Sequence, residues 1–236
     1  METITIGLIN ESSLHKALKE YYKALDQGFV CEVNVDGYVV DLKNNERIIE
    51  IQTANFPGIK TKLKNLLEKN QVVLVYPLAK DKWITKLTPE GVILSRRLSP
   101  KHCKFQDAFS EFVYIAEILP HPNLTVELLL IQEEEIRVDD GKGSWRRKGV
   151  SIKEHHLLNV LDKLTLNSEE DYLAFLPESL EDTFTNRDLA KIGRLNLALA
   201  RKISYTLRKM GLIKVKKQKG NKNYYKRVNG VEKNED

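Results

Sequence analysis

The sequence predicts two domains, an α/β domain over residues 1–149 and a smaller, mainly helical domain over residues 150–236. The first observation is the order of apolar patterns before Leu78, which indicates helix, three strands, helix and strand. The second is a shift in charge: residues 183–228 hold 14 Lys or Arg and one acid, a net charge of +13, whereas the whole chain carries +5. A basic C-terminal part on an acidic remainder predicts a polyanionic partner.

The elements of the first domain follow from their residue patterns. Ser12 precedes a helix with apolar residues near helical spacing, and Pro57-Gly58 precedes a second amphipathic helix. A short continuous apolar run after that helix is typical of a strand covered on both faces. The expected elements are a helix over 12–25, a strand over 29–35, a two-stranded hairpin over 37–53, a helix over 59–69 and a strand over 72–76.

The hairpin over 37–53 carries three polar residues, Asp41, Glu50 and Gln52, among apolar neighbours. With Asn44-Asn45 as a two-residue loop, side-chain alternation puts all three on one face and sets the two carboxylates diagonally. A carboxylate in a half-buried strand is costly unless something compensates it, so these two acids could share one small cation. A one-residue slip of the turn would bring Asp36 to this face, which keeps Asp36 as a reserve candidate.

This element order, with acids on the second and third strands, resembles the PD-(D/E)XK (restriction-endonuclease-like) nuclease superfamily, whose core is αβββαβ. The family signature is an Asp on the second strand, and a Glu or Asp, one apolar residue and a Lys on the third. Asp41 and Glu50-Ile51-Gln52 match these positions as an ExQ variant, within roughly the first third of the chain. Two residues depart from the pattern: Val40 replaces the Pro before the acid, and Gln52 replaces the Lys, as in some restriction enzymes of the family.

The resemblance implies hydrolysis of phosphodiester bonds with Mg²⁺, or Mn²⁺, held by Asp41, Glu50 and the Ile51 carbonyl. Gln52 would orient the attacking water by hydrogen bonding but could not act as a base. Two alternatives stay open at this point. The acids could be ordinary solvent-facing residues, or the fold could be kept without catalysis.

A Glu in the first helix is common in this family. Glu11, at the helix start, or Glu20 could match it, and Glu11 would bind a second ion or a metal-bound water. Both positions are implied by the resemblance alone.

Residues 79–149 predict an extension of the first domain. The patterns indicate a hairpin with strands over 82–87 and 92–98, a helix over 105–119 and a strand over 125–131. A turn over 139–143 then precedes Trp145-Arg146-Arg147-Lys148, which could clamp a phosphate backbone or stack on a base. A solvated hairpin tip whose Trp packs under Arg stems is at least as compatible, so no site is assigned there.

The second domain is predicted from helix signals. Helices are expected over 152–164 and 168–176, then over 185–193, where Thr185 and Asp188 form a near capping box, and over 197–209. Strands over 213–218 and 223–228 form a basic hairpin. Helix, turn, helix and basic hairpin are similar to the winged helix-turn-helix family, which implies binding of double-stranded DNA. The candidate contacts are Arg194, Arg201, Lys202, Tyr205, Arg208, Lys216, Lys217, Lys219, Lys222 and Lys226.

Several function classes find no support in the residues. Cys31 and Cys103 are isolated and the five histidines lack zinc-ligand spacing, while nucleotide-loop and serine-hydrolase motifs are missing. No run predicts a membrane span or a signal peptide, so a cytoplasmic protein is expected. The leading interpretation is a DNA-binding, Mg²⁺-dependent nuclease. A non-catalytic DNA-binding regulator is the alternative, with RNA as a third option for the substrate and a homodimer left open.

Overall fold

The structure, a computed structural model, describes residues 12–228 and has a mixed α/β architecture. The α-helices in this range are α1 (Ser13–Leu25), α2 (Phe56–Leu67), α3 (Phe109–Phe112), α4 (Glu169–Leu173), α5 (Asn186–Ile192) and α6 (Leu197–Lys209). The strands are β1 (Val30–Val35), β2 (Tyr38–Lys43), β3 (Ile48–Ile51), β4 (Val72–Leu87), β5 (Ile93–Leu98), β6 (Leu124–Val138), β7 (Ser151–Leu166), β8 (Ile213–Lys219) and β9 (Lys222–Arg227).

The chain forms two compact units that interleave along the sequence. Unit 1 comprises residues up to 53, 75–104 and 128–164, and unit 2 comprises residues 54–74, 105–127 and 165 onward. The sequence-based division instead sets one boundary at residue 149, just before β7. No helix within residues 12–228 combines the length and the apolar character needed to cross a membrane.

Helix α1 begins where the sequence predicts. The Ser12 hydroxyl accepts the backbone N–H of His15 at 3.2 Å and so caps the first turn. Leu14, Leu18 and Tyr22 are at most 5% exposed and form a stripe at a spacing of four residues. The helix packs against β3. Because an isolated helix of this length is marginal in water, this buried face is what stabilises it.

Seven strands form one sheet in the order β1-β2-β3-β4-β6-β7, with β5 paired to β4. Strands β1 and β2 join through Asp36-Gly37, with Val35 opposite Tyr38. Both loop residues have positive φ, 50° and 83°, the conformation of a type I′ turn that matches the strand twist. Asp36, the reserve candidate, therefore lies in the turn and not on a strand.

The loop between β2 and β3 is longer than the predicted Asn44-Asn45 pair, and the predicted register is wrong. Lys43 lies opposite Ile48, so four residues form the loop. The Asn44 side chain explains the difference, because its oxygen accepts the backbone N–H groups of Glu46 and Arg47 at 3.0 and 2.9 Å. The observed register is shifted by two residues from the predicted one. Because side chains alternate with a period of two, each keeps its predicted face.

The strands after α2 are longer than the sequence predicts. The apolar run over 72–76 and the strand over 82–87 are parts of the continuous strand β4, and β6 extends seven residues past the predicted end at 131. The predicted helix over 152–164 is wrong, because these residues form strand β7 beside β6. Leu157, Val160, Leu161 and Leu164 fit a helical stripe, yet pairing along a neighbouring strand overrides that local preference.

Unit 2 has an aromatic core. Phe109 contacts Phe112 and Phe175 at ring-centroid distances of 5.4 and 5.0 Å, and Phe112 lies 6.4 Å from both Phe56 and Tyr172. Burial raises the pKa of Tyr172 well above its ordinary value. The predicted helix over 105–119 is present only as a 3₁₀ turn over 105–108 and the single turn α3. Hydrogen bonds between residues three apart, such as Ile115 N–H to Phe112 O, then replace the α-helical pattern.

The C-terminal elements of unit 2 confirm their predictions. The Thr185 hydroxyl and the Asp188 carboxylate form a full capping box at the start of α5, and Asn196 caps α6 by accepting the Leu199 N–H at 2.8 Å. Strands β8 and β9 form an antiparallel hairpin. Phe184 pairs with Tyr225 of β9 through two backbone hydrogen bonds of 3.0 and 2.8 Å, which fixes the hairpin to the segment before α5.

Candidate functional site

Asp41 marks the point where the β2–β3 ladder ends. Its Oδ2 accepts the backbone N–H of Ile51 at 2.7 Å, so the side chain takes the place of a strand partner. The next residue, Gln52, donates its backbone N–H to Val75 O of β4 at 2.8 Å. The Asp41 carboxylate therefore lies where the hydrogen bonds of this segment change from β2 to β4.

His15 of α1 reaches the same point. Its Nε2 lies 3.2 Å from Asp41 Oδ2 and 3.1 Å from the Ile51 carbonyl oxygen. Both oxygens are acceptors, so Nε2 must carry a proton. His15 therefore positions Asp41 and holds the Ile51 carbonyl. This residue was not predicted, because nothing in the spacing of the sequence links position 15 to position 41.

Glu50 lies on the face that Asp41 occupies. Leu42 pairs with Ile49, and alternation from this pair puts Asp41 and Glu50, the next residue on each strand, on one face of the hairpin. Glu50 is 3% exposed, whereas Asp41 is half-buried. Two residues on from Glu50, the half-buried Gln52 follows the same alternation. The two predicted acids therefore lie on one face of the hairpin, as the alternation along the strands predicts.

The two glutamates considered for α1 do not add to this group within the described residues. Glu11 lies outside residues 12–228. Glu20 lies on the exposed side of α1 and forms an ion pair with Lys23 at 3.6 Å, a helical neighbour three residues on.

The oxygens around Asp41 fit a hard divalent ion. Asp41 Oδ2 and the Ile51 carbonyl converge on one nitrogen about 3 Å from each, and Glu50 lies on the same face of the hairpin as Asp41. Mg²⁺ prefers such carboxylate and carbonyl oxygens, at roughly 2.1 Å. The protonated Nε2 of His15 stands between two of these oxygens, so an ion would have to displace this hydrogen-bonding proton.

A second polar cluster, on β4, β6 and β7 of unit 1, was not predicted. Lys82 Nζ lies 2.7 Å from Glu133 Oε1 and 3.2 Å from Glu135 Oε2, and Arg137 Nε donates to Glu135 Oε1 at 2.6 Å. His155 Nδ1 lies 3.6 Å from Glu133 Oε1. We call Lys82, Glu133, Glu135, Arg137 and His155 the Lys82 cluster. Its sequence signal is the run of three glutamates over 133–135 after the apolar part of β6, because strand alternation puts Glu133 and Glu135 on one face.

The charges of the Lys82 cluster compensate each other. Burial opposes the ionisation of Glu133, but hydrogen bonds from His155 and Lys82 outweigh it and hold the pKa of Glu133 below its ordinary value. Glu135 is likewise buried, and Arg137 with Lys82 lowers its pKa. Burial also opposes the charge of Lys82, yet the two glutamates raise its pKa.

The Lys82 cluster also contains a candidate metal-ligand set. Within residues 12–228, one group of three His, Cys, Asp or Glu side chains has its ligand atoms within 4.8 Å of one another. This group consists of Glu133, Glu135 and His155. Lys82 already bonds both carboxylates, so an internal cation does there what a metal ion would do.

The predicted nucleic-acid contacts of unit 2 lie on α6 and on the β8–β9 hairpin. The buried face of α6 consists of Leu199, Ile203 and Leu207, which are 8%, 0% and 0% exposed. The opposite face therefore points to solvent and carries Arg201, Tyr205 and Arg208. Lys202 is half-buried, and Arg194 is exposed in the turn before α6. Among the predicted contacts of the hairpin, Lys216, Lys217, Lys219 and Lys222 are exposed, and Lys226 is half-buried.

A cleft of about 560 Å³ joins these elements within unit 2. Arg201 of α6 and Lys222 of β9 line it together with Arg187 at the start of α5. Lys217 lies over the Tyr224 ring, 4.8 Å from its centroid. Two predicted cations from different elements therefore face one concave surface, with Asp188 as the acidic residue among the lining side chains.

Comparison with known proteins places the chain in a family. Residues 12–167 match a family described as "Domain of unknown function (DUF8091)". The chain belongs to this family. The matched span begins at the N-cap of α1 and ends one residue after β7, so the DUF8091 domain contains both polar clusters of unit 1 and excludes α4 to β9.

A relative from Treponema pallidum (strain Nichols), described as an uncharacterized protein, is 32% identical over 191 residues. The alignment covers 80% of this chain and 75% of the relative. No solved structure matches the chain.

Proposed function

We propose that this protein binds double-stranded DNA through α6 and the β8–β9 hairpin and cleaves phosphodiester bonds at Asp41, Glu50 and Gln52 with Mg²⁺ or Mn²⁺. The binding half rests on Arg201 and Lys222, which line one cleft although they lie on separate elements. The catalytic half rests on the buried Glu50, which lies on the same face of the β2–β3 hairpin as Asp41. The two halves belong to different units and can fail separately.

The binding half is supported by an order of elements similar to winged helix-turn-helix proteins. A capped helix, a turn, the amphipathic α6 and an antiparallel hairpin follow one another, and a short pairing at Phe184 adds a third strand position. On this proposal α6 enters the major groove with Arg201, Tyr205 and Arg208 facing bases or phosphates. The hairpin lysines would neutralise backbone phosphates.

The catalytic half assigns one role to each residue around Asp41. Asp41 and Glu50 would hold the ion with the Ile51 carbonyl, in the manner of the PD-(D/E)XK nucleases. Such an ion polarises a phosphate oxygen and lowers the pKa of its bound water. Gln52 would hold the attacking water by hydrogen bonding. His15 positions Asp41, and its ring must turn away or release its proton before an ion can bind.

A DNA-binding regulator without catalysis is the second candidate. Two observations favour it: Gln52 stands where a basic residue usually serves these nucleases, and the His15 N–H already satisfies two of the oxygens that an ion would need. In this case Asp41, His15 and the Ile51 backbone would only stabilise the β2–β3 hairpin where its ladder ends.

Duplex binding tests the first half. Arg201→Ala with Lys202→Ala should weaken binding to a 20-base-pair duplex and should reduce the slope of log K against log salt by about 2, since each lost phosphate contact removes about 0.9. Lys153→Ala with Lys163→Ala removes two cations of β7 in unit 1 and is the matched control. If the α6 variant and the β7 control lose the same amount of duplex affinity, α6 has no specific role in binding.

Thermal stability with and without ion tests the metal site. Saturating Mn²⁺ should raise the melting temperature, because an ion that binds the native state stabilises it by mass action. Asp41→Asn should abolish this rise, and Glu20→Gln, on the exposed side of α1, should keep it. A wild-type protein without any rise would refute the site and leave the regulator.

A further inference from the structure

Unit 1 contains an open pocket of about 400 Å³ between the β4–β5 hairpin and the loop that joins β6 to β7. Five cationic side chains and one acid line it: Lys86, Arg97, Arg137, Arg147, Lys148 and Asp139. We call this group the basic pocket. Its charge is carried by three strands and one loop, so it arises only in the folded chain.

Most of this positive charge has no counter-ion within the described residues. Lys86 pairs with Asp139 at 2.7 Å, and Arg137 is held by Glu135 of the Lys82 cluster. Arg147 donates Nε–H to the Val150 carbonyl at 3.1 Å, a bond that leaves its charge uncompensated. The side chains of Arg97 and Lys148 form no hydrogen bond or ion pair with any residue in 12–228. Three like charges around one concavity repel each other, and a bound anion removes that repulsion.

The loop over 139–150 has a defined conformation that holds Arg147 and Lys148 at the pocket. Gly143 N–H donates to Gly149 O at 2.7 Å, and a Cβ at Gly143 would lie 1.8 Å from the Val150 oxygen. Only glycine fits this approach. Ser151 donates its hydroxyl hydrogen to Asp140 Oδ2 at 2.9 Å and closes the base of the loop.

The same loop presents an aromatic ring beside the basic pocket. Trp145 is 82% exposed, the largest exposure among the exposed large apolar side chains of residues 12–228. The Arg146 guanidinium lies 5.5 Å from its ring centroid. Trp145 is thus a largely exposed indole that precedes the pocket cations Arg147 and Lys148 by two and three residues. Such an exposed ring beside cations is suited to stacking on a base next to a bound phosphate.

We infer that the basic pocket and Trp145 bind single-stranded nucleic acid, with a backbone phosphate in the pocket and an unpaired base stacked on the indole. Bases within a duplex are stacked on one another and offer no face to Trp145, so the surface selects unpaired strands. The inference concerns other residues than the proposed duplex-binding face of α6 and does not depend on it.

The test measures binding of the full chain to a fluorescein-labelled oligo(dT) of 12 nucleotides and to a 20-base-pair duplex. Trp145→Ala should weaken oligo(dT) binding by about tenfold, the loss expected for one stacked base, with a change below about twofold for the duplex. Arg97→Gln with Lys148→Gln should weaken oligo(dT) binding to a similar extent and flatten its salt dependence. Lys142→Gln, in the same loop but outside the pocket lining, is the matched control.

Intrinsic fluorescence gives a second readout. The chain has two tryptophans, Trp83 and Trp145, and oligo(dT) should quench the wild-type emission but not that of Trp145→Ala. Arg201→Ala with Lys202→Ala should keep this quenching, which separates the inference from the proposal for α6. Circular dichroism and melting temperature confirm that each variant folds.

Three results would overturn the inference. Trp145→Ala and the Arg97→Gln, Lys148→Gln variant could both bind oligo(dT) as tightly as Lys142→Gln does. Trp145 and the basic pocket would then have no role in binding. Oligo(dT) could leave the Trp145 emission unchanged. Inorganic phosphate at low millimolar concentration could abolish oligo(dT) binding while a mononucleoside has no effect on that binding. The pocket would then be a site for small anions instead.

Discussion

Lys82→Met removes from the Lys82 cluster the cation that bonds both buried carboxylates, so Glu135 keeps Arg137 as its partner and Glu133 keeps only His155. The Lys82 side chain is 27% exposed, and the side chains of Glu133 and Glu135 are 6% and 5% exposed. Breaking a buried ion pair by removing one partner costs roughly 3–5 kcal/mol, and the partial exposure of Lys82 favours the lower end. A loss of about 3 kcal/mol corresponds to a fall in melting temperature of roughly 6–12 °C for a chain of this size.

The pH dependence should change sign with this substitution. In the wild type the pKa values of Glu133 and Glu135 are lowered by folding, so their contribution is present above the ordinary glutamate pKa and is lost as pH falls through the folded values. Without Lys82, Glu135 is still compensated by Arg137, and we expect burial to outweigh the remaining contact with His155 and to raise the pKa of Glu133. The variant should therefore gain stability as pH falls from 8 to 5, while the wild type should not.

Urea unfolding at pH 5, 6.5 and 8 measures both effects. Lys86→Met is the matched control, because Lys86 pairs with Asp139 at side-chain exposures of 33% and 43%, where a pair contributes about 0–1 kcal/mol. Glu133→Gln in the Lys82→Met background should recover part of the loss. If Lys82→Met costs no more than Lys86→Met, or if its stability falls with falling pH, the charge compensation argued for this cluster is wrong.

Three further predictions concern single contacts. His15→Ala should lower the Mn²⁺ concentration that gives half of the maximal rise in melting temperature, because the Nε2 proton no longer occupies the Asp41 and Ile51 oxygens; an unchanged or higher concentration would make His15 a ligand and not a competitor. Thr185→Ala should cost about 1 kcal/mol in urea unfolding, the usual loss for a helix N-cap, and no loss would contradict the capping box. Gly143→Ala should disrupt the loop over 139–150 and abolish quenching of Trp145 by oligo(dT), whereas retained quenching would show that the loop tolerates a Cβ.

The acidic face of the β2–β3 hairpin could be predicted because it depends only on alternation along a strand. The predicted loop was two residues too short, yet Asp41 and Glu50 stayed on one face, since an even shift preserves it. The capping box at Thr185 and the stripe of α6 were equally local. The capping box and this stripe were confirmed, because the information for each lies within a few turns of one helix.

Pairings between distant segments could not be predicted in this way. His15 and Asp41 are 26 positions apart, and Lys82 and Glu135 are 53 positions apart. Strand β7 was assigned to a helix because its leucines fit both periods, and only the neighbouring strand β6 decides between them. The basic pocket likewise depends on β4, β5 and the loop over 139–150 coming together.

Cleavage of DNA tests the central proposal most directly. Supercoiled, linear, branched and single-stranded DNA would be incubated with the full chain and Mg²⁺ or Mn²⁺, next to Glu50→Gln, which keeps the side-chain volume, and Glu20→Gln as control. The proposal predicts cleavage by the wild type and by Glu20→Gln, and none by Glu50→Gln. Duplex binding without cleavage on every substrate, or equal cleavage by Glu50→Gln, would contradict a catalytic role for this site.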